Sequence, residues 1–184
     1  MKKMMPVGPM MIEHRLIERM IGEIGKEADR LEAGGTPDPD FVDQAVDFIR
    51  SYADECHHGK EEDILFRELG KKNLSPEDDK LMRELVADHA KGRALTRKIV
   101  EANQRYRSGD RNSISVIVDC MKELREFYPV HIAKEDRHFF QPAMRYFTEE
   151  ERDEMLEEGF AYDQRLIHRR YENIVKIAET RHQK

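Results

Sequence analysis

Apolar residues recur along this chain at steps of three and four, the period of an α-helix seen from one side. His14, Ile17, Ile21, Ile24, Ala28 and Leu31 make one continuous face, and Val42, Val46, Ile49, Ala53, His57, Glu61 and Ile64 make another. A third runs through Ile114, Ile117, Met121, Leu124, Tyr128, His131 and Glu135. Helix stops and starts fall between these stretches. Gly34-Gly35-Thr36-Pro37-Asp38-Pro39 breaks the first segment, and Gly70 followed by Ser75-Pro76 breaks the second. Ser108-Gly109-Asp110 breaks the third, and Pro142 followed by Thr148-Glu149-Glu150-Glu151 ends the fourth and starts a fifth. The pattern predicts helices over about 10–33, 39–69, 76–107, 112–144 and 148–181. Four long helices with short connections make an all-α, up-down-up-down four-helix bundle over about 10–144. The additional C-terminal helix packs outside it or against a second copy, as a homodimer. Residues 1–184 are read as a single domain.

Each of the three apolar stripes runs into ionisable side chains, and burying these without a partner costs several kcal/mol, so something must compensate them. Their arrangement is duplicated. Residues 57–66, His-His-Gly-Lys-Glu-Glu-Asp-Ile-Leu-Phe, and 131–140, His-Ile-Ala-Lys-Glu-Asp-Arg-His-Phe-Phe, share His-x-x-Lys-Glu and a final Phe. One histidine precedes each copy, in Glu13-His14 and Asp88-His89. The copies are displaced by 74 residues at His57/His131 and Glu61/Glu135, and by 75 at His14/His89. Residues four apart share a helix face, so each His-x-x-x-Glu pair can grip one object. Four neutral imidazoles and two carboxylates suit first-row metals, and two bridging carboxylates suit a pair of ions about 3.5–4 Å apart. Spacing leaves open whether His14 and His57 serve one ion or opposite ions. The ligand count leaves positions for an oxo or hydroxo bridge or a small diatomic.

The pattern His14, His57-x-x-x-Glu61, His89, His131-x-x-x-Glu135, with the apolar pairs Leu65-Phe66 and Phe139-Phe140 after each Glu, resembles the hemerythrin-like (HHE) cation-binding family over about residues 10–144. The resemblance implies a non-haem di-iron centre, two iron ions inside the bundle, that meets oxygen, nitric oxide or peroxide. It makes His14, His57, Glu61, His89, His131 and Glu135 the metal ligands. Oxygen-carrying hemerythrins place a second histidine four residues after the third-helix one, where this chain has Arg93, so a five-imidazole centre is not expected. Their fourth helix carries an Asp five residues after its His, which would be Asp136; Glu135 is preferred because it is in register with Glu61.

The remaining candidates receive plainer readings. His58 continues the polar column Asp47, Ser51, Asp54 and is expected at the surface. His138 aligns with the core position Ile64 and is expected behind the ligands or as a satisfied core histidine. His168 lies outside the duplicated unit and is unassigned; His182 belongs to a polar end. Gly92, one turn from His89, serves close helix packing or leaves room above the metals. A ferritin-like centre would use Glu55-x-x-His58 and Glu135-x-x-His138 with Glu13 and Asp88, but the two copies are out of register. Structural zinc wants four ligands, usually with Cys.

Composition narrows the setting. Charged residues make up 38% and the formal charge is −6, with both signs interspersed, so no basic footprint for nucleic acid or an anionic membrane exists. No stretch approaches the roughly 18 apolar residues of a membrane span. The start, MKKMMPVGPMM, lacks a long apolar signal region, and a cytoplasmic location is the expectation. Cys56 and Cys120 are read as buried small hydrophobes. The functional expectation is a protein that binds or senses oxygen, nitric oxide or related oxidants through a di-iron centre. The alternatives are an enzyme acting on peroxide or nitric oxide or repairing iron–sulfur clusters, and an iron-handling or structural-metal module.

Overall fold

The computed structural model of the chain describes residues 4–181, with side chains over 4–166. It contains five long helices in sequence: α1 (Val7–Glu32), α2 (39–69), α3 (Pro76–Arg107), α4 (113–143) and α5 (Glu149–Arg181). The starts are capped as their sequences require. Asp38 accepts the backbone N–H groups of Asp40 and Phe41 at 3.0 and 3.1 Å ahead of Pro39, and Ser75 accepts that of Asp78 at 3.1 Å ahead of Pro76. Thr148 and Glu151 cap each other's backbone N–H at 3.2 and 2.9 Å, a capping box that starts α5. Helices α1 and α3 end on glycines in the left-handed region, Gly34 at φ +87° and Gly109 at φ +101°. The following N–H groups, of Gly35 and Asp110, return to the carbonyls of Arg30 and Arg105.

Two helices depart from a uniform α period. Helix α2 is π-helical over Ile49–His58 and again over Glu61–Phe66, and α4 is π-helical over Glu135–Phe139. These are the stretches that carry the two His-x-x-x-Glu pairs or their ends. Wider turns let neighbouring residues share a face that an α-helix would split between them, and π segments concentrate at functional sites for that reason. Pro129, inside α4, removes one N–H from the ladder two residues before His131.

The core is divided. One apolar cluster holds Ile17, Ile24, Val46, Ile49, Leu95, Ile99, Ile117 and Leu124; the other holds Val7, Met10, Leu65, Leu85, Phe139, Phe140 and Met155. In α1 and α3 the second cluster comes first along the chain, and in α2 and α4 it comes last. The bundle therefore runs up, down, up, down. Between the clusters, at the same level of all four helices, lies a polar layer. Helix α4 packs against α1 and α3, and α2 against α1 and α3. Helix α5 lies along α2: Tyr162 donates to the Glu55 carbonyl at 3.1 Å, and a Cβ on Gly59 would overlap the Tyr162 ring. Among the described residues no helix is long and apolar enough to cross a membrane.

Candidate metal centre

The polar layer is where the three stripes end. His14 comes from α1, His57 and Glu61 from α2, His89 from α3, and His131 and Glu135 from α4; all six side chains are at most 1% exposed. His14 Nε2 lies 3.1 Å from Glu135 Oε2, and His57 Nε2 lies 3.3 Å from Glu61 Oε1. His89 Nε2 lies 3.2 Å from Glu61 Oε2 and 3.6 Å from Glu135 Oε1, and His131 Nε2 lies 3.1 Å from Glu135 Oε1. Despite these distances none of the four Nε2 atoms or four carboxylate oxygens makes a hydrogen bond. Eight buried polar atoms without partners, converging on one space, form a hole in the hydrogen-bond pattern that water-free protein does not tolerate. A nitrogen and oxygen donor set of this kind fits first-row divalent or trivalent metals.

The outward face of each ring explains why Nε2 points inward. Each imidazole donates its Nδ1–H to a carboxylate: His57 to Glu13 at 2.9 Å, His14 to Asp136 at 2.8 Å, His89 to Glu62 at 2.6 Å and His131 to Asp88 at 3.4 Å. Carboxylates only accept, so the proton sits on Nδ1 and the Nε2 lone pair is left for a cation. Lysines hold two of these acids, Lys60 on Glu13 and Lys134 on Asp88, the latter at 2.5 Å. Arginines hold the other two, Arg93 on Glu62 at 2.7 Å and Arg15 on Asp136. Lys60, itself 4% exposed, reaches one carboxylate further, to Asp163 of α5 at 2.8 Å.

Electrostatics agree with a missing positive charge. Burial opposes protonation of His89, but the carboxylates of Glu135, Glu61 and Glu62 push it up to about 11. His14, likewise opposed by burial, is raised by Glu135. Burial alone would raise the Glu135 carboxyl, but the imidazoles of His131, His14 and His89 hold it well below the usual range. Positive charge is thus favoured on His89 and His14, and a proton on Glu135 is disfavoured.

Sequence reasoning missed several participants. His58, expected at the surface, is buried at 3% and stacks on His89 with ring centroids 3.9 Å apart. The π-helical turns through Ile49–His58 bring it onto the inner face beside His57. Burial, with His89, His57 and His131 nearby, holds it well below its ordinary value, so it is a neutral imidazole. The donors thus fall into two groups, His14, His57, Glu61 and Glu135 in one and His58, His89 and His131 in the other, with the atoms of each within 4.8 Å of one another. A fifth imidazole, that of His58 on α2, lies beside the other four; Arg93 pairs with Asp54 and Glu62. The acids Glu13, Glu62, Asp88 and Asp136 were also missed as partners of the rings. Their signal was in the duplication, one acid before each lone His and one after each inward Glu.

Other expectations are corrected. His138 is exposed, because the π turn of α4 ends at Phe139 and carries it off the inner face. Glu55 is exposed too, so the ferritin-like pairs do not face inward together. Asp136 stays on the outer side of His14, and Glu135 takes the inner position. Close packing is not what Gly92 serves: a Cβ there would meet Phe127 and Tyr128 only at 3.7 Å, and the residue lines a cavity with His58. Cys120 is buried, whereas Cys56 is half-buried and donates to Asp163 at 3.3 Å. Burial pushes the Cys56 thiol up to about 12. The side chains of His168 and His182 lie outside the described residues.

The hemerythrin HHE cation binding domain matches residues 5–143, a span that begins just before α1 and ends with α4. No curated protein and no solved structure matches the chain significantly. The matched span covers all four bundle helices and the whole polar layer, and it leaves out only α5 and the chain ends. The chain belongs to the hemerythrin HHE cation-binding family, and is a metal-binding helical protein.

Proposed function

We propose that the protein is a non-haem di-iron protein that binds or senses oxygen, nitric oxide or a related oxidant. The observation that carries this reading is the set of eight buried, unpartnered donor atoms facing one space. His14 and His57 would serve one iron and His89 and His131 the other, with Glu61 and Glu135 between them; His58 joins the second group. Bound iron supplies a redox couple and coordination positions for a small ligand. The chain's part is to hold six or seven donors fixed, with Nδ1–carboxylate pairs setting ring orientation. Its apolar clusters on either side exclude bulk water. An enzyme acting on peroxide or nitric oxide, or a repairer of iron–sulfur clusters, would use the same donors.

The test is metal analysis of protein purified without oxygen, followed by absorption spectra after separate exposure to oxygen, nitric oxide and peroxide. Two irons per chain and a spectrum that changes with at least one of these is the expected result. Substoichiometric iron with one tightly held zinc would overturn the proposal.

A further inference from the structure

Helix α5 lies beyond the matched span, which ends at residue 143, yet one of its side chains joins the wiring of the bundle. Asp163 accepts from the Lys60 ammonium at 2.8 Å and from the Cys56 thiol at 3.3 Å. Lys60, 4% exposed, also holds Glu13, and Glu13 in turn accepts the Nδ1–H of His57 at 2.9 Å. A line of charged groups thus runs from Asp163, partly exposed on α5, to a ring whose Nε2 faces the polar layer. The duplicated line is one member shorter. Lys134 and Asp88 stand behind His131, and among the described residues no second carboxylate pairs with Lys134.

The extra member changes what Glu13 can do. An ammonium shared between two carboxylates draws less on each than an ammonium with one partner. With Asp163 in place, Glu13 keeps acceptor strength for His57, and two carboxylates against one ammonium leave negative charge behind the ring. Without the Asp163 charge, Lys60 falls to Glu13 alone. His57 then faces a weaker acceptor, and a cation on its Nε2 loses a favourable field. Groups that orient ligating imidazoles from behind typically change metal affinity about 10- to 100-fold when they are removed. We infer that Asp163 is a positioning residue for the first metal position, acting through Lys60 and Glu13 on His57. Helix α5 thereby sets how tightly that position holds its ion, while the position at His89 and His131 depends on the bundle alone. The inference rests on the di-iron reading above and deepens it by naming the element that controls one of the two ions.

The experiment titrates metal-free protein anaerobically with ferrous iron against a chromophoric chelator, and reads the loaded protein by Mössbauer spectroscopy. Wild type is compared with Asp163→Asn and with Glu158→Gln, which removes another α5 carboxylate, one that holds the same helix through Arg67 at 2.6 Å. Asp163→Asn is expected to weaken one of the two irons about tenfold and to shift one quadrupole doublet, the other keeping its wild-type parameters. Glu158→Gln is expected to leave both irons within about twofold of wild type. Asp163→Glu, which restores the charge, should recover most of the affinity, and Asp163→Ser replaces Asp163→Asn if the latter does not fold. Unchanged affinities in the neutral variant, equal weakening of both irons, or the same loss in Glu158→Gln would overturn the inference alone. Wild-type protein that does not take up two irons would overturn the di-iron reading and this inference with it.

Discussion

The two helix pairs of this bundle, α1–α2 and α3–α4, carry the same wiring but end in different places. In the first, Lys60 holds Glu13 and Glu13 holds His57; in the second, Lys134 holds Asp88 and Asp88 holds His131. The acids after the inward glutamates cross over: Glu62 takes His89 of the second pair, and Asp136 takes His14 of the first. Each pair therefore orients one ring of its own and one of its neighbour's. Two differences break the symmetry. Position 58 is a histidine where its counterpart, Ile132, is apolar, so α2 alone sends a third imidazole across to the His89 and His131 group. And Lys60 is clamped by Asp163 from α5, whereas Lys134 is 30% exposed with Asp88 as its partner. Duplication supplies the shared frame; single substitutions and one added helix make the two groups of donors unequal.

The comparison breaks most completely at a residue both pairs share. Glu61 touches His57 of the first pair and His89 of the second, so Glu61→Ala is expected to lose most of both irons. Metal bound only to the native state adds about 4 kcal/mol at a thousandfold excess over Kd, and the variant should melt with the metal-free wild type instead of the loaded protein. A pH series on metal-free protein sharpens the point. His89 is raised from about 6.5 to about 11 and His14 is raised from the same value, so their stabilisation is full below about pH 6.5 and declines as pH rises, that of His89 disappearing towards about 11. Metal-free protein should melt lower at pH 9 than at pH 6.5, and loading at neutral pH should release protons measurable in a weakly buffered titration. Retention of two irons by Glu61→Ala, or no proton release, would sink the shared-carboxylate arrangement.

Smaller effects should separate the two positions. His57→Ala is expected to impair the first iron and His58→Ala the second, each leaving about one iron per chain by metal analysis with a different residual spectrum. Two irons held at wild-type affinity in His58→Ala would remove that ring from the donor set. Smaller still is the asymmetry of the lysines. Asp163→Asn takes a charged hydrogen bond from buried Lys60 and should cost about 1.5–3 kcal/mol, seen as a melting temperature several degrees lower. Lys134→Met, at a partly exposed pair, should cost under about 1 kcal/mol. Equal costs at the two sites would show that α5 does not brace the first pair.

How far all this could be read from the residues depends on helix phase. The stripes ending in His57–Glu61 and His131–Glu135 were legible because residues four apart stay on one side through α and π turns alike. His58 and His138 were misplaced for the opposite reason. His58 reads with Asp54 and Ser51 as a polar column and still meets Asp54 at 3.4 Å, but the π turns that bring that column's end into the interior leave no mark in a hydrophobic pattern. His138 aligns with Ile64 in sequence, yet α4 carries one short π segment where α2 carries two. The pairing of Glu13, Glu62, Asp88 and Asp136 with specific rings crosses between helices, so periodicity within one helix cannot show it. The burial of Lys60 needed α5 in place, and its partner Asp163 is 103 residues away.

The divided core has a consequence for how the molecule opens. A layer of ionisable groups contributes no apolar adhesion, so the two clusters are separate cooperative units joined by whatever fills the layer. The cluster with Val7, Met10, Phe140 and Met155 is built from the beginnings of α1 and α3, the ends of α2 and α4 and the start of α5. The other draws on longer runs of all four bundle helices. Once the layer is stripped, amide protons in the first group should exchange with solvent well before those in the second. Filling the layer should merge the two into one unit that exchanges as a whole.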